Sequence, residues 1–191
     1  LDKLAEMYHP KKTTPAVIEF VDIAGLVKGA SRGEGLGNKF LGNIRMTDAI
    51  VHVVRCFDDD NVIHVEGSTD PVRDMDTIDL ELVMADLEMV ERRIDKAKKA
   101  AKGDKKFLHE AEVFQGLREW LDQGKSARGY LPQVPEDDAA LIATSELLSL
   151  KPVIYAANLD EDGFSNPESV SYYCQVEQRA KEQGAQVIPV C

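Results

Sequence analysis

Two polar motifs, each placed directly after an apolar run, could together bind a nucleotide. The first is an Asp-x-x-Gly motif made by Asp22 and Gly25, which follows the apolar residues 16–21. The second begins with Asn158, which follows residues 152–157. An aspartate at a strand end can hold a water molecule on Mg²⁺, the following glycine N–H can contact a terminal phosphate, and an asparagine can hydrogen-bond a purine. If both strands belong to one sheet, the motifs predict a shared pocket for a purine triphosphate and Mg²⁺.

Each motif also has a purely structural interpretation. Asp-x-x-Gly occurs at many strand ends that run into an ordinary turn, and an asparagine after a strand commonly closes an Asx turn. A glycine-rich stretch after the first motif favours the functional interpretation, because glycine lets a backbone approach a ligand closely or change conformation. We expect a switch loop in this stretch, with the residues Leu26, Gly29, Gly33, Gly35 and Gly37.

Apolar runs typical of buried strands occur at four places, which are residues 16–21, 49–57, 152–157 and 186–190. Near-continuous apolar strands separated by helical segments indicate a parallel sheet with helices on both faces. The predicted fold class is therefore α/β. Ligands of such open sheets bind at the carboxyl ends of the strands, where both polar motifs lie.

The segment at residues 76–135 interrupts this alternation with long helical periodicity. Apolar residues recur at spacings of three and four along its first half: Leu80, Val83, Leu87, Val90, Ile94, Ala97 and Ala101. After a turn signal, a second apolar face follows: Phe107, Ala111, Phe114, Leu117 and Leu121. These patterns predict an antiparallel coiled-coil hairpin. We expect it to be inserted into a nucleotide-binding core made of residues 1–75 and 136–191.

A phosphate-binding glycine loop is missing from the sequence. The Gly-Lys-Ser at residues 124–126 does not complete the pattern GxxxxGK[ST], because Glu119 stands where the first glycine is required. The pattern GxGxxG is also missing, which argues against a dinucleotide-dependent oxidoreductase. The chain starts without Met and ends on an apolar run, so we expect a piece of a longer protein.

Composition restricts the possible partners and the location. The chain has 191 residues and a formal net charge of −11, so any contact with nucleic acid must be local. A run of about 18 apolar residues is missing, which argues against a membrane-spanning helix. The three cysteines lack paired spacing, which favours a reducing, cytoplasmic location.

Long sequence motifs closely resemble the Obg-like ATPase family of the YchF type. They are FVDIAGLVKGAS at residues 20–31, GEGLGNKFL at 33–41, VRCFDDDN at 54–61 and IHV at 63–65. The resemblance extends over the whole chain and implies a partial P-loop, GTPase-like fold with a coiled-coil insertion. It places the phosphate loop before this sequence and a TGS domain after it. It also implies a cytosolic, ribosome-associated enzyme that hydrolyses ATP in preference to GTP, with Mg²⁺.

The resemblance assigns the base to Asn158 and the backbone at Leu159. Guanine-specific enzymes carry Asn-Lys-x-Asp at this place, and their aspartate accepts two hydrogen bonds from guanine. Here Leu159 replaces the lysine and Glu161 replaces the aspartate. A carboxylate one methylene farther out is badly placed for that contact, so we expect guanine preference to be lost.

The residue after the Asp-x-x-Gly motif is Leu26, where related GTPases have a glutamine that orients the attacking water. Leucine cannot hydrogen-bond water. The resemblance implies that His64, in the loop after the second predicted strand, positions the water instead. Taken without the resemblance, His64 is an ordinary loop histidine.

Two hypotheses for function use these residues differently. In the first, the intact protein is an ATP-binding and ATP-hydrolysing switch with weaker GTPase activity, and this piece alone is inactive. In the second, the hairpin docks on ribosomal RNA or a ribosomal protein, and the nucleotide only gates the docking. The candidate contacts lie near the hairpin tip: Lys98, Lys99, Lys102 and Lys105. A solvated helix surface is the ordinary explanation of such a cluster. We expect a monomer without a membrane partner.

Overall fold

The structure is a computed structural model that describes residues 2–23, 36–59, 61–62, 64 and 67–191. The strands in these residues are β1 (Ile50–Arg55), β2 (Val153–Asn158) and β3 (Gln186–Val190). The α-helices are α1 (Asp2–Tyr8), α2 (Leu36–Arg45), α3 (Pro71–Ala100), α4 (Lys106–Leu121), α5 (Glu136–Ala143), α6 (Glu161–Ser165) and α7 (Ser171–Glu182). Short 3₁₀ turns are Ala127–Gly129, Leu131–Gln133, Leu148–Leu150 and Pro167–Ser169.

The three strands form one parallel sheet, in the order β1-β2-β3. Ile50 lies opposite Val153, and Ile154 lies opposite Gln186, so the carboxyl ends of the strands meet at one edge. The predicted α/β class with a parallel sheet is confirmed. The predicted strands at residues 49–57, 152–157 and 186–190 are present with slightly different ends.

The strand predicted at residues 16–21 is wrong. These residues form an irregular segment, in which Val17 is 85% and Phe20 79% exposed. A strand needs a neighbour that pairs with its backbone N–H and C=O groups. Within the described ranges, no backbone hydrogen bond joins residues 16–21 to β1 or to any other segment. Apolar, β-branched composition alone was therefore not sufficient to build a strand.

One face of the sheet forms a core with the helices. Val54, Tyr155 and Ala157 are buried on this face together with Met75 of α3 and Val176 of α7. On the opposite face Val51, Val53 and Ile188 remain exposed. The expectation that helices cover both faces is therefore wrong for the described part of the chain.

Helices α3 and α4 form the predicted antiparallel hairpin. The seam residues Val83, Val90 and Ile94 form one buried cluster with Phe114, Leu117 and Leu121 of α4. Ala97 and Ala111 are also buried. Arg93 of α3 pairs with Glu110 of α4, and the earlier residue Glu91 of α3 pairs with the later residue Arg118 of α4. The order of the partners is thus reversed between the two helices, as antiparallel packing requires.

The first turns of α3 differ from the prediction. The helix begins at Pro71 rather than near residue 76, because Asp70 caps it by accepting a hydrogen bond from the Arg73 N–H. Leu80, expected in the seam, is 48% exposed, whereas Leu82 is buried. The reason is that the first part of α3 packs on the sheet and α7 instead of α4, so the seam starts only at Val83.

A buried carboxylate joins the hairpin to the segment before β2. Asp86 of α3 is fully buried, and its two oxygens accept hydrogen bonds from the backbone N–H groups of Leu148 and Ser149, both at 2.7 Å. Burial raises the pKa of Asp86, while the hydrogen bonds from Ser149 and Leu148 act in the opposite direction. These bonds satisfy the first N–H groups of the 3₁₀ turn at Leu148–Leu150.

All three cysteines are free thiols. Cys56 is buried, as its apolar run predicted, and burial raises its pKa to about 12. Cys174 and Cys191 are exposed. Among the described residues, every helix is too short or too polar to cross a membrane.

We predict that Asp86→Asn lowers the free energy of unfolding by about 1–3 kcal/mol, because an amide can accept only one of the two N–H groups and leaves the other buried and unsatisfied. Urea unfolding followed by circular dichroism measures the change. Asp95→Asn is the matched control, since Asp95 is an exposed aspartate of the same helix. Equal stability of the two variants would contradict the role given to Asp86.

Candidate functional site

The carboxyl end of β2 is held between both neighbouring strands. The Asn158 carbonyl accepts a hydrogen bond from the Cys56 N–H, and the Leu159 N–H donates to the Val190 carbonyl, both at 2.8 Å. The half-buried Asn158 carboxamide forms no hydrogen bond with any other described residue. A rigid backbone thus presents a polar side chain that is available to a ligand, at the sheet edge where open α/β folds bind their ligands.

The side chain of Leu159 is buried, so only the backbone of this residue could contact a base. Its side chain is only 2% exposed and belongs to the core between the sheet and α7. Its N–H is already engaged by Val190, so the carbonyl is the part of this backbone that could meet a base. The predicted contact through the Leu159 backbone is therefore restricted to its carbonyl oxygen.

The turn after Asn158 is fixed by a helix cap. Asp160 caps α6 by accepting a hydrogen bond from the Gly163 N–H at 2.7 Å. Glu161 is the exposed first residue of α6. The Glu161 side chain therefore lies on the surface of α6, three residues after Asn158 and after the capping residue Asp160.

Asp22 lies in the irregular segment that replaces the first predicted strand, and it is exposed. Its expected position at a strand end is therefore wrong, and no hydrogen bond joins it to Asn158 in the structure. Other predicted switch-loop and phosphate-contact residues lie outside the described residues: Gly25, Leu26, Gly29, Gly33 and Gly35. Gly37 was expected in the loop, but its backbone belongs to α2.

His64 is paired with an aspartate of α3. Its Nε2 lies 2.8 Å from the Asp74 Oδ2, and the two side chains are 17% and 24% exposed. The second carboxylate oxygen, Oδ1, accepts from the Arg73 Nε at 3.2 Å and Nη2 at 3.1 Å. Arg73 also donates to the backbone carbonyl of Ser68 at 2.6 Å. The histidine is thus held at the start of α3 by a network of polar contacts.

Sequence reasoning missed Asp74. An aspartate in the first turn of a helix is ordinarily explained by the helix dipole, and nothing in the spacing of ten residues pairs it with His64. An acidic residue placed soon after a candidate catalytic histidine was the only available signal.

Polar contacts fix the first half of α3 to the rest of the core. Arg179 of α7 donates to Asp76 at 2.6 Å. Gln183 donates to Asp79 at 2.7 Å and accepts from the Tyr155 hydroxyl at 2.5 Å. Burial raises the pKa of Tyr155 far above its usual range, so its hydroxyl stays a donor. Asp74 therefore stands on a helix that is tied to both α7 and β2.

The basic residues predicted at the hairpin tip are all exposed, in and beside the turn between α3 and α4: Lys98, Lys99, Lys102 and Lys105. None of these four forms an ion pair with a described residue. Neighbouring cations do, since Lys106 pairs with Asp104 at 3.0 Å and Arg93 pairs with Glu110 at 2.9 Å. The four ammonium groups are thus open to an external anion.

The described residues hold no cluster of metal-ligating side chains. No group of three or more His, Cys, Asp or Glu side chains that could hold a metal ion is found in them.

Comparison with known proteins gives one consistent result. Residues 5–105 match the family described as 50S ribosome-binding GTPase. The ribosome-binding ATPases YchF of Bacillus subtilis and of Haemophilus influenzae are each 47% identical over 192 aligned residues, which cover 100% of this chain and 52% of theirs. The YchF GTPase structure of Schizosaccharomyces pombe is 36% identical, with a TM-score of 0.78, covering 99% of this chain and 52% of that one.

The chain thus spans about half the length of the curated relatives that it matches. The resemblance inferred from its sequence motifs is confirmed over the whole chain, and the GTPase-like fold is confirmed by the structural match.

We predict that Gly163→Ala destabilises the chain by about 0.5–2 kcal/mol, the usual value of a helix cap. An added Cβ would lie 2.8 Å from the Asp160 Oδ1 and 3.0 Å from the Val170 Cγ2, so the capping carboxylate must move. Gly42→Ala in α2 is the control, because nothing lies within 4 Å of its added Cβ. Thermal unfolding compares the two variants, and a stabilised Gly163→Ala would show that the turn accommodates a side chain.

Proposed function

Because the chain belongs to the 50S ribosome-binding GTPase family, we propose that the whole protein binds and hydrolyses ATP as a ribosome-associated switch, with GTP as the weaker substrate. The observation that carries the proposal is Asn158. Its carboxamide stands at the carboxyl end of the central strand without a hydrogen bond to any described residue, where a base-recognising amide is required. The names of the relatives, ribosome-binding ATPase YchF, support the same activity.

The chemistry around Asn158 supports adenine over guanine. A guanine-specific site needs a lysine after the asparagine and a short carboxylate two residues later. Leu159 packs into the core, and Glu161 starts from the surface of α6. The N1–H and amino group of guanine would lack the carboxylate that accepts from both, whereas adenine does not present this pair of donors.

Mg²⁺ and the phosphates would be held by the glycine-rich segment together with Asp22. Asp22 would hold the ion through a water molecule, and the ion would supply positive charge that offsets the charge of the phosphates. Gly25 donates its N–H to the terminal phosphate, and Gly29, Gly33 and Gly35 give the switch its conformational freedom. Since Leu26 cannot orient the attacking water, His64 takes that task. The sequence holds no lysine-bearing phosphate loop, so this chain alone should not turn over ATP.

A second function is favoured by the hairpin tip. The four exposed lysines form no ion pair with any residue that the structure describes, and they lie on a protein whose net charge is −11. They form a local site for the phosphate backbone of ribosomal RNA. In this alternative the hairpin is the working part and the nucleotide gates its docking. Either proposal places the protein in the cytoplasm as a monomer.

We predict that Asn158→Ala in the whole protein weakens ATP binding by roughly 5- to 30-fold, the value of about one to two hydrogen bonds. Isothermal titration with ATP and GTP measures both affinities. Gln175→Ala, at an exposed position of α7, should leave both unchanged. Unaltered ATP affinity in Asn158→Ala, or turnover by the isolated 191-residue chain well above buffer, would contradict the proposed site.

For the hairpin tip, we predict that simultaneous Lys→Glu replacement at 98, 99, 102 and 105 reduces ribosome binding and lowers the slope of log K against log salt by roughly three, as expected for four lost phosphate contacts. The matched control reverses four exposed lysines elsewhere: Lys3, Lys11, Lys12 and Lys181. Co-sedimentation with ribosomes over a salt series separates the two. Equal loss in both variants would mean that net charge, rather than the tip, governs binding.

A further inference from the structure

We propose that Arg55 is a positioning residue for the base-binding edge of the sheet. Its guanidinium holds the loop after β1 in one shape, which keeps both the loop and the charge of Arg55 away from the Asn158 carboxamide. The proposal rests on the proposed role of Asn158 in holding the base and adds the residue that shapes its surroundings. Arg55 itself is not expected to touch the phosphates.

Arg55 is the last residue of β1 and lies directly beside Asn158. The two residues are partners in the parallel register of β1 and β2, so their side chains leave the same face of the sheet. Neighbouring strands are about 4.8 Å apart, a spacing that an arginine side chain can cross. A guanidinium without other acceptors could therefore donate to the carboxamide oxygen of Asn158. In the structure it is directed to the loop instead.

The guanidinium of Arg55 binds three backbone carbonyls of this loop. Nε donates to the Phe57 carbonyl at 2.9 Å, Nη1 to the Val62 carbonyl at 2.8 Å and Nη2 to the Asp59 carbonyl at 3.3 Å. The Arg55 Cζ also lies 4.7 Å from the centroid of the Phe57 ring. A planar fork of donors with fixed directions can join several acceptors at once, which the point charge of a lysine ammonium does not match. Arg55 is therefore the centre around which the loop is folded.

Weaker contacts close the same loop. The Asp59 Oδ1 accepts from the Asn61 N–H at 2.8 Å and from its side-chain amide at 3.0 Å, and the Val62 N–H donates to the Asp59 carbonyl at 3.0 Å. The Asp58 Oδ2 accepts from the Tyr172 hydroxyl at 3.0 Å, which attaches the loop to α7. Hydrogen bonds from an ionised donor are stronger than neutral ones, so the guanidinium contributes most to the shape of the loop.

The position of the loop connects Arg55 to the base. Cys56 follows Arg55 and donates its N–H to the Asn158 carbonyl, so the loop begins one residue after a direct contact with the proposed base site. A loop that is already ordered loses little further conformational entropy when a ligand binds beside it. Loss of the guanidinium contacts should therefore weaken binding of the base and leave binding of the triphosphate unchanged.

The test is Arg55→Lys in the whole protein, which keeps the charge but removes the planar fork. We expect ATP affinity to fall and KM to rise roughly 5- to 20-fold, with kcat within about 2-fold, because an ordered base site stabilises ground state and transition state equally. Affinity for inorganic tripolyphosphate, which has no base, should not change. The matched control is Arg128→Lys. Arg128 also donates to a backbone carbonyl, that of Lys151, but this contact lies before the start of β2, at the opposite end of the strand from Asn158.

A double variant and hydrogen exchange complete the design. If Arg55 and Asn158 act on one base site, the losses in Arg55→Lys and Asn158→Ala should be less than additive. In the unmutated protein, ATP should slow amide hydrogen exchange at Val62, whose N–H closes the loop, more than tripolyphosphate does. This last measurement requires no variant to fold, and circular dichroism verifies the fold of the variants.

The possible results separate the two proposals. If Asn158→Ala keeps its ATP affinity, the proposed base site is wrong, and the role of Arg55 fails with it. If Asn158→Ala loses affinity while a folded Arg55→Lys keeps it, only the role of Arg55 is wrong. Three other results would also overturn that role: equal losses in Arg55→Lys and Arg128→Lys, additive losses in the double variant, or exchange at Val62 that ATP slows no more than tripolyphosphate does.

Discussion

The arrangement of the molecule depends on one carboxylate that has no access to water. Asp86 sits in the middle of α3 and accepts the first two N–H groups of the 3₁₀ turn that leads into β2. A buried charge without partners would be costly, so these bonds hold helix and turn in one relative position. The same turn is also bound from the other side, because the Ser149 hydroxyl accepts a hydrogen bond from the Ala127 N–H at the end of the hairpin. Hairpin, α3 and central strand are thereby joined at a single point.

On the two sides of this junction, α3 packs against different partners. Before Asp86, α3 packs on the sheet and α7, with Met75 in their core. After it, Val90 and Ile94 pack against α4. The polar contacts of the first half follow the same division: Asp74 holds His64, Asp76 holds Arg179, and Asp79 accepts from Gln183. In the sequence these aspartates look like ordinary surface charges, but in the structure they attach the first half of α3 to its neighbours.

Sequence reasoning was successful where a pattern is local and failed where a partner is distant. Periodicity identified the hairpin seam, because the same residues repeat every three or four positions whatever they face. It also misplaced Leu80, since periodicity does not reveal that α3 changes its neighbour along its length. The run at residues 16–21 has the composition of a strand, but pairing depends on another segment, and the described part of the chain provides none. The Asp86 contact joins residues 62 positions apart, a distance that no spacing rule covers.

The same helix that holds His64 also ends at the basic tip, and physical distance restricts how the two could communicate. Lys98 follows Asp74 by 24 residues, or about 36 Å along the helix axis at 1.5 Å per residue. The Debye length at physiological salt is about 8 Å, so the charge of a partner bound at the tip is screened before it reaches the histidine. An effect of docking on hydrolysis would therefore have to pass through the packing of α3. Asp86 lies between the two ends and fixes the helix to the turn that leads into β2, the strand that presents Asn158. A displacement of α3 would therefore move His64 and Asn158 together.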